Sequence, residues 1–311
     1  MSKVTVVGAG NVGATVANVL AHKDLVKEVV LLDIKGDFAK GKALDSWQQA
    51  PIDYYSTQLT GTSDYRKTRN SDIVVITAGI PRRPGMSRDD LISTNAKIVS
   101  SVTKSIMKYS KKPIIIVVSN PLDVMTYAVH KASGLDSSRV FGMAGILDTA
   151  RYRAFLATEL EVSPKDIQAV LMGGHGDTMV PLPRYTTVAG IPVTEMIDKA
   201  KLKAIVERTK KGGGELVKLM GTSAWYAPGA AAAQMVASIV RDENRIFPCC
   251  ARLSGQHGLK NMFLGVPVKL GKGGIKEIIE LKLNKSETKL LHKSADHVKA
   301  VMDTFDNMKD A

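Results

Sequence analysis

The chain has 311 residues, 44% of them hydrophobic, enough for two domains around a sizeable core. Its longest apolar run, Ile114 to Val118, is far too short to span a bilayer, and strand-like Val4-Thr5-Val6-Val7 leaves no room for a signal peptide, so no membrane partner is expected. The neighbouring Cys249 and Cys250 exclude a disulfide framework and point to a reducing, cytoplasmic setting, and the net charge of +13 is spread over lysines without a basic, aromatic-interleaved run, so no nucleic-acid partner is expected.

In chain order, apolar runs at 3–7, 28–32, 57–61, 72–77, 114–118 and 139–142 read as strands. Several are nearly continuous in Val and Ile, as strands buried on both faces are. Helical patterns lie between most of them, for example at 11–22 and 90–109. This alternation predicts an α/β fold: a doubly wound parallel sheet, the Rossmann arrangement, over residues 1–145. Residues 146–311 read as an α+β substrate domain. Here 148–161 look helical, 166–172 strand-like, 197–220 a long helix and 223–241 an Ala-rich helix. Strand signals follow near 246–253, 262–270 and 277–281. A helix from Ser286 to Phe305 closes the chain, with Leu291, Ala295, Val298, Met302 and Phe305 on one face.

The first strand runs into Gly8-Ala9-Gly10-Asn11-Val12-Gly13 and then a helical run. In that context Gly8 permits the tight turn, Gly10 lets the backbone approach a pyrophosphate, and Gly13 lets helix and strand pack closely. The helix N-terminus then offers free N–H groups to the phosphates. Asp33 ends the second strand, 20 residues after Gly13, where an acid accepts hydrogen bonds from the adenosine ribose and repels a 2′-phosphate. The cofactor read from this half is NAD. Val118-Ser119-Asn120-Pro121 ends a later strand, at the edge where ligands bind. Asn120 is a candidate for the nicotinamide ribose or the substrate, although Asn-Pro also reads as an ordinary turn.

Leu147-Asp148-Thr149-Ala150-Arg151 and Gly173-Gly174-His175-Gly176-Asp177 carry the chemistry. Oxidation of a 2-hydroxy acid needs an imidazole to take the hydroxyl proton, a carboxylate to hold the imidazolium and a guanidinium to grip the substrate carboxylate. His175 lies between glycines, where its ring is displayed rather than packed. Asp148 is the candidate partner of the ring, with Asp177 as its rival. Arg151 follows Asp148 by three residues, on the same helix face; its bland alternative is a salt bridge. Between them in function, Gly79-Ile-Pro-Arg-Arg-Pro-Gly-Met-Ser-Arg-Asp-Asp90 is kept irregular by two prolines and two glycines, and carries Arg82, Arg83 and Arg88 where a ligand would lie.

Taken together, G-A-G-N-V-G, L-L-D-I, G-K-A-L-D, T-A-G-I-P-R-R-P-G-M-S-R-D-D-L, V-S-N-P-L-D, L-D-T-A-R-Y-R and G-G-H-G-D-T-M-V-P resemble the malate dehydrogenases of the lactate-dehydrogenase-like type over essentially the whole chain. The resemblance implies that His175 accepts the proton in malate oxidation with Asp148 as its partner. It implies that Arg151 clamps the carboxylate next to the reacting carbon, and that Arg88, on a mobile loop, polarises the carbonyl of oxaloacetate. It places Arg82 where lactate dehydrogenases carry glutamine, so that Arg82 binds the second carboxylate, with Arg83 left as the other basic candidate. Asn95, Val118, Ser119 and Asn120 join Gly8, Gly10, Asn11, Val12, Gly13 and Asp33 in contacting NAD, and Asn120 also reaches the substrate. No metal is expected. A homotetramer is implied, with a homodimer second, and Trp47 is either a subunit contact or a core residue.

Overall fold

The computed structural model describes residues 3–81 and 87–308. Strands β1 (Lys3–Val7), β2 (Glu28–Leu32), β3 (Gln58–Thr62), β4 (Ile73–Ile76), β5 (Ile114–Val117) and β6 (Val140–Gly142) form a parallel sheet in the order β3-β2-β1-β4-β5-β6. Helices α1 (Asn11–His22), α2 (Gly36–Trp47), the single turn α3 (Ala50–Asp53), α4 (Arg88–Met107) and α5 (Leu122–Ser133) occupy the connections. The unbroken Val/Ile runs are the cause of this arrangement: Ile73–Ile76 and Ile114–Ile116 are wholly buried, which requires helices on both faces of the sheet. Strand order reverses between β1 and β4, and the crevice at that switch point lies outside their carboxyl ends.

One residue after β6, the chain enters α6 (Ala144–Leu160), four residues earlier than the sequence pattern suggests. The first turn, Ala-Gly-Ile-Leu, is buried and has no side-chain cap, so it carries no polar start signal. The expected strand at 166–172 divides into β7 (Ile167–Gln168) and β8 (Leu171–Met172). β8 pairs with β9 (Val180–Pro181), while β7 pairs with β10 (Thr187–Val188), itself paired with β11 (Ile191–Pro192). Apolar composition favours extended chain, but the neighbouring strands decide where the ladder breaks.

A single turn α7 (Val193–Met196) precedes α8 (Lys199–Met220), whose N-terminus is capped by Asp198 accepting the Ala200 and Lys201 N–H groups. Next come α9 (Tyr226–Val240), β12 (Arg245–Ser254), β13 (Lys260–Gly271), β14 (Gly274–Ile278) and α10 (Lys285–Asp306). The last strand begins at a hairpin turn of Gly273 and Gly274, both with positive φ, and so runs three residues earlier than the expected 277–281. β12 pairs antiparallel with β6 through Cys250 and Gly142, so one sheet of nine strands among the described residues runs through both halves. α9 also lies against α1: a Cβ on Gly229 would meet Thr15 Cγ2 at 2.5 Å. These two contacts fix the second half over the carboxyl edge of the parallel strands.

Candidate active site

The glycine turn after β1 has the geometry its sequence predicts. Gly8 has φ of 102°, which favours glycine, and a Cβ on Gly13 would stand 1.8 Å from the Gly8 carbonyl oxygen. A Cβ on Gly10 would meet nothing within 4 Å, so this glycine faces open space. Gly10 caps α1 without a side-chain hydrogen bond, leaving the first N–H groups of that helix, from Asn11 and Val12 onward, for an anionic group. Asp33 follows β2 as expected. Its Oδ2 accepts the Ala9 N–H at 2.7 Å and its Oδ1 accepts the Lys35 N–H at 2.9 Å, so it also braces the glycine turn.

Asn95, 2% exposed on α4, spends its amide on backbone. Nδ2 donates to the Asn120 carbonyl at 2.7 Å and to the Ile80 carbonyl at 3.1 Å, and Oδ1 accepts the Ile80 N–H at 2.8 Å. The Ser119 hydroxyl donates to the Ala78 carbonyl at 2.6 Å. These bonds tie the segment after β4 to the segment after β5. Val12, Val118 and the exposed Asn120 then line a cavity of 470 Å³ together with Asp148, Arg151 and His175.

Residues 27 positions apart meet in that cavity. Asp148, on α6 and 2% exposed, turns Oδ2 to His175 Nδ1 at 2.8 Å and accepts Arg151 Nη1 on Oδ1 at 3.3 Å. Asp148 and not Asp177 therefore holds the ring. Asp177 is exposed at the mouth. Burial by itself lowers the proton affinity of the His175 ring, but the charge and hydrogen bond of Asp148, with a smaller push from Asp123, raise its pKa above the usual imidazole value, against the opposing charge of Arg151. The result is an imidazole suited to both taking and giving a proton near neutral pH.

Two features around these side chains were not read from the sequence. Gly212 and Gly213 of α8 lie against the Arg151 side chain, with a Cβ on Gly212 only 3.2 Å from Arg151 Cδ. Three successive glycines inside a helix were their signal. Asp123, in the first turn of α5, accepts the His175 backbone N–H on Oδ2 at 2.9 Å; a single acid after Asn-Pro-Leu gave no comparable sign. Of the three loop arginines, Arg82 and Arg83 lie outside the described residues. Arg88 opens α4, within the Ser87–Asp90 capping box, and its side chain also lies outside them.

Residues 2–142 match the model for the NAD binding domain of lactate/malate dehydrogenase, and residues 146–308 match its alpha/beta C-terminal domain. The chain is 66% identical over 307 residues to a malate dehydrogenase of Cytophaga hutchinsonii, covering 98% of each. It superposes on a solved malate dehydrogenase from Salinibacter ruber with TM-score 0.96 at 56% identity, covering 99% of each chain. A Cryptosporidium parvum lactate dehydrogenase, solved with lactic acid and the cofactor nicotinamide adenine dinucleotide, superposes with TM-score 0.94 at 36% identity over 98% of each chain. The shared fold does not separate the two substrates.

Proposed function

We infer that this chain, which belongs to the lactate/malate dehydrogenase family, catalyses the reversible NAD-dependent oxidation of (S)-malate to oxaloacetate. The observation that carries this reading is the Asp148–His175 pair, with Arg151 on the same carboxylate, facing one cavity with Val12, Val118 and Asn120 of the nucleotide half.

The glycine turn fits a dinucleotide. Gly13 is packed where any Cβ would collide, Gly10 is open, and the α1 N-terminus has no side-chain cap. Gly8, Gly10, Asn11, Val12, Gly13 and Asp33 would hold the adenosine and pyrophosphate. Val118, Ser119 and Asn120 would bound the nicotinamide end, with Asn95 setting the position of Asn120. Bound NAD supplies the hydride acceptor. Because Nδ1 of His175 donates to Asp148, Nε2 is the basic nitrogen, and it takes the C2 hydroxyl proton as the C2–H bond breaks. Arg151 grips the C1 carboxylate bidentately. Arg88 stabilises charge on the C2 oxygen, and Arg82 pairs with the C4 carboxylate. The arginine does the polarising, so the reaction needs no metal.

The test is NADH oxidation with oxaloacetate or with pyruvate, repeated on His175→Ala. Turnover of oxaloacetate over pyruvate, lost in the variant, supports the reading. Preference for pyruvate would overturn it in favour of lactate or another 2-hydroxy acid.

The protein is further proposed to be a cytoplasmic homotetramer. Exposed Phe38, Leu44, Trp47, Ile52 and Tyr54 on and around α2 and α3 support self-association, with Trp47 as a subunit contact in this reading. The buried free thiols of Cys249 and Cys250 suit a reducing compartment. Among the described residues no helix is long and apolar enough to cross a membrane. Sedimentation velocity would read a single tetramer; a stable monomer would contradict it.

A further inference from the structure

Three consecutive amides of the catalytic loop are caught by three different elements. The Gly173 N–H donates to the Gly265 carbonyl of β13 at 2.8 Å, and the Gly174 N–H to Ser294 Oγ of α10 at 2.8 Å. The third, from His175 itself, donates to Asp123 Oδ2 of α5 at 2.9 Å. Only the third anchor is an ionisable group. It acts on the residue that carries the ring, which is flanked by Gly174 and by Gly176, whose φ is 125°.

Close packing of the loop stops at Gly174, where a Cβ would meet Val298 Cγ2 at 2.5 Å. Behind the loop lies a second cavity of 350 Å³, bounded by Asp123, the segment 174–178, and His297, Val298 and Val301 of α10. His175 borders this cavity and the active-site cavity alike. Gly173 and Gly174 pack closely on Ser294 and Val298 of α10, whereas a Cβ on Gly176 would meet nothing within 4 Å, so past Gly174 the hydrogen bond to Asp123 holds the backbone.

We propose that Asp123 is a positioning residue for His175: its carboxylate fixes the backbone that carries the ring. The proposal rests on the function inferred above, in which His175 moves the proton. Asp123 is 7% exposed, and its Oδ1 meets no N–H or O–H donor among the described residues; the Cys250 thiol of β12 lies against the carboxylate. Burial pushes the Asp123 carboxyl up, while the His175 amide, Cys250 and the His175 ring pull it back toward ionisation, and its place in the first turn of α5 also favours the anion. The charged and titratable groups around the ring are thus Asp148 and Arg151 of α6, Asp123 of α5, and Asp177 and His297 at the two cavities. Asp148 acts on the ring and Asp123 on the backbone, so geometry and charge come from two separate carboxylates.

Asp123→Asn keeps an acceptor for the His175 N–H and removes the charge, whereas Asp123→Ala removes both. The His175 ring is titrated by NMR in the cofactor-free protein, a readout that needs no substrate, and kcat and KM for oxaloacetate and NADH are followed against pH. Asp123→Asn is expected to lower the His175 pKa and to move the alkaline limb of oxaloacetate reduction down by the same amount. Asp123→Ala is expected to lose about tenfold or more in kcat with little change in the KM for NADH, and Asp123→Asn to recover most of that loss at low pH. An unshifted His175 titration in Asp123→Asn overturns the role of the charge even if Asp123→Ala does not fold. Equal kcat in wild type and Asp123→Ala overturns the positioning role. A wild type that fails to turn over oxaloacetate would count against the inferred function and leave the NMR result standing by itself.

Discussion

Gly212 of α8 lies against Arg151 of α6: a Cβ built on the glycine would stand 3.2 Å from Arg151 Cδ. Gly213 follows, with its Cβ position 4.0 Å from Arg151 Nη1. Each glycine inside a helix costs about 1 kcal/mol relative to alanine, so Gly212-Gly213-Gly214 in the middle of α8 is a local loss of stability. At Gly212 the Arg151 side chain occupies the space of a Cβ, whereas at Gly214 a Cβ would meet nothing within 4 Å. Gly212→Ala is expected to gain up to about 1 kcal/mol in helix propensity while displacing Arg151 by a few tenths of an ångström, raising the KM for malate by about tenfold and changing kcat less. Gly41→Ala, in α2 where an added Cβ meets nothing within 4 Å, is expected to gain similar stability with no effect on KM. Urea unfolding and steady-state kinetics on the two variants check this. A Gly212→Ala enzyme with wild-type KM would show that the close approach does not matter to substrate binding.

Much of this site was legible in the sequence, and the reason is local. The Gly8–Gly13 turn, Asp33, the Asp148–Arg151 spacing and the glycine-flanked His175 each carry their meaning within a few residues, and the Val/Ile runs declare a doubly covered sheet. What escaped the sequence depends on distant pairing. The break between Ile167–Gln168 and Leu171–Met172 is set by β9 and β10, the join of β12 to β6 by Cys250 meeting Gly142, and the grip of Asp123 on His175 spans 52 positions. Asp148, the sequence's candidate for ring partner over Asp177, does meet the ring, although the two lie 27 positions apart.

The raised pKa of His175 fixes the direction of the pH profiles. Oxaloacetate reduction needs the protonated ring and malate oxidation the neutral one. The kcat/KM for oxaloacetate should therefore hold below the His175 pKa and fall as pH rises through it, at a midpoint above the usual 6.5, while that for malate rises over the same range. Asp148→Asn removes the charge that offsets burial, so both limbs should move to lower pH and kcat should drop by about 10²-fold. Profiles that keep their midpoints in Asp148→Asn would assign the limbs to another group.

Arg82 is expected to decide between substrates through a second carboxylate. A cation closed into a site with no anion to meet is costly, so pyruvate should be rejected while oxaloacetate is accepted. Sites built around a required polar partner discriminate by roughly 10⁴. Arg82→Gln should move the ratio of kcat/KM values toward pyruvate by a large part of that factor, read from parallel NADH-oxidation assays. If Arg82→Gln stays selective for oxaloacetate and Arg83→Gln does not, the discriminating arginine is Arg83.

Cys249 and Cys250 lie in β12 and are wholly buried, and Cys250 also faces the Asp123 carboxylate. Burial pushes both thiols up, for Cys250 with the added repulsion of the Asp123 charge. Thiolate is the reactive form, so two separate effects, lack of access and lack of ionisation, protect the pair. Iodoacetamide at neutral pH should leave both unmodified in the native protein with activity unchanged, and should label both once the chain is unfolded in guanidinium. Mass spectrometry of the native sample reads the outcome directly. Rapid labelling of Cys250 without loss of secondary structure would mean that β12 opens at its contact with β6, and would make the sheet join between the two halves a point of local unfolding rather than a fixed seam.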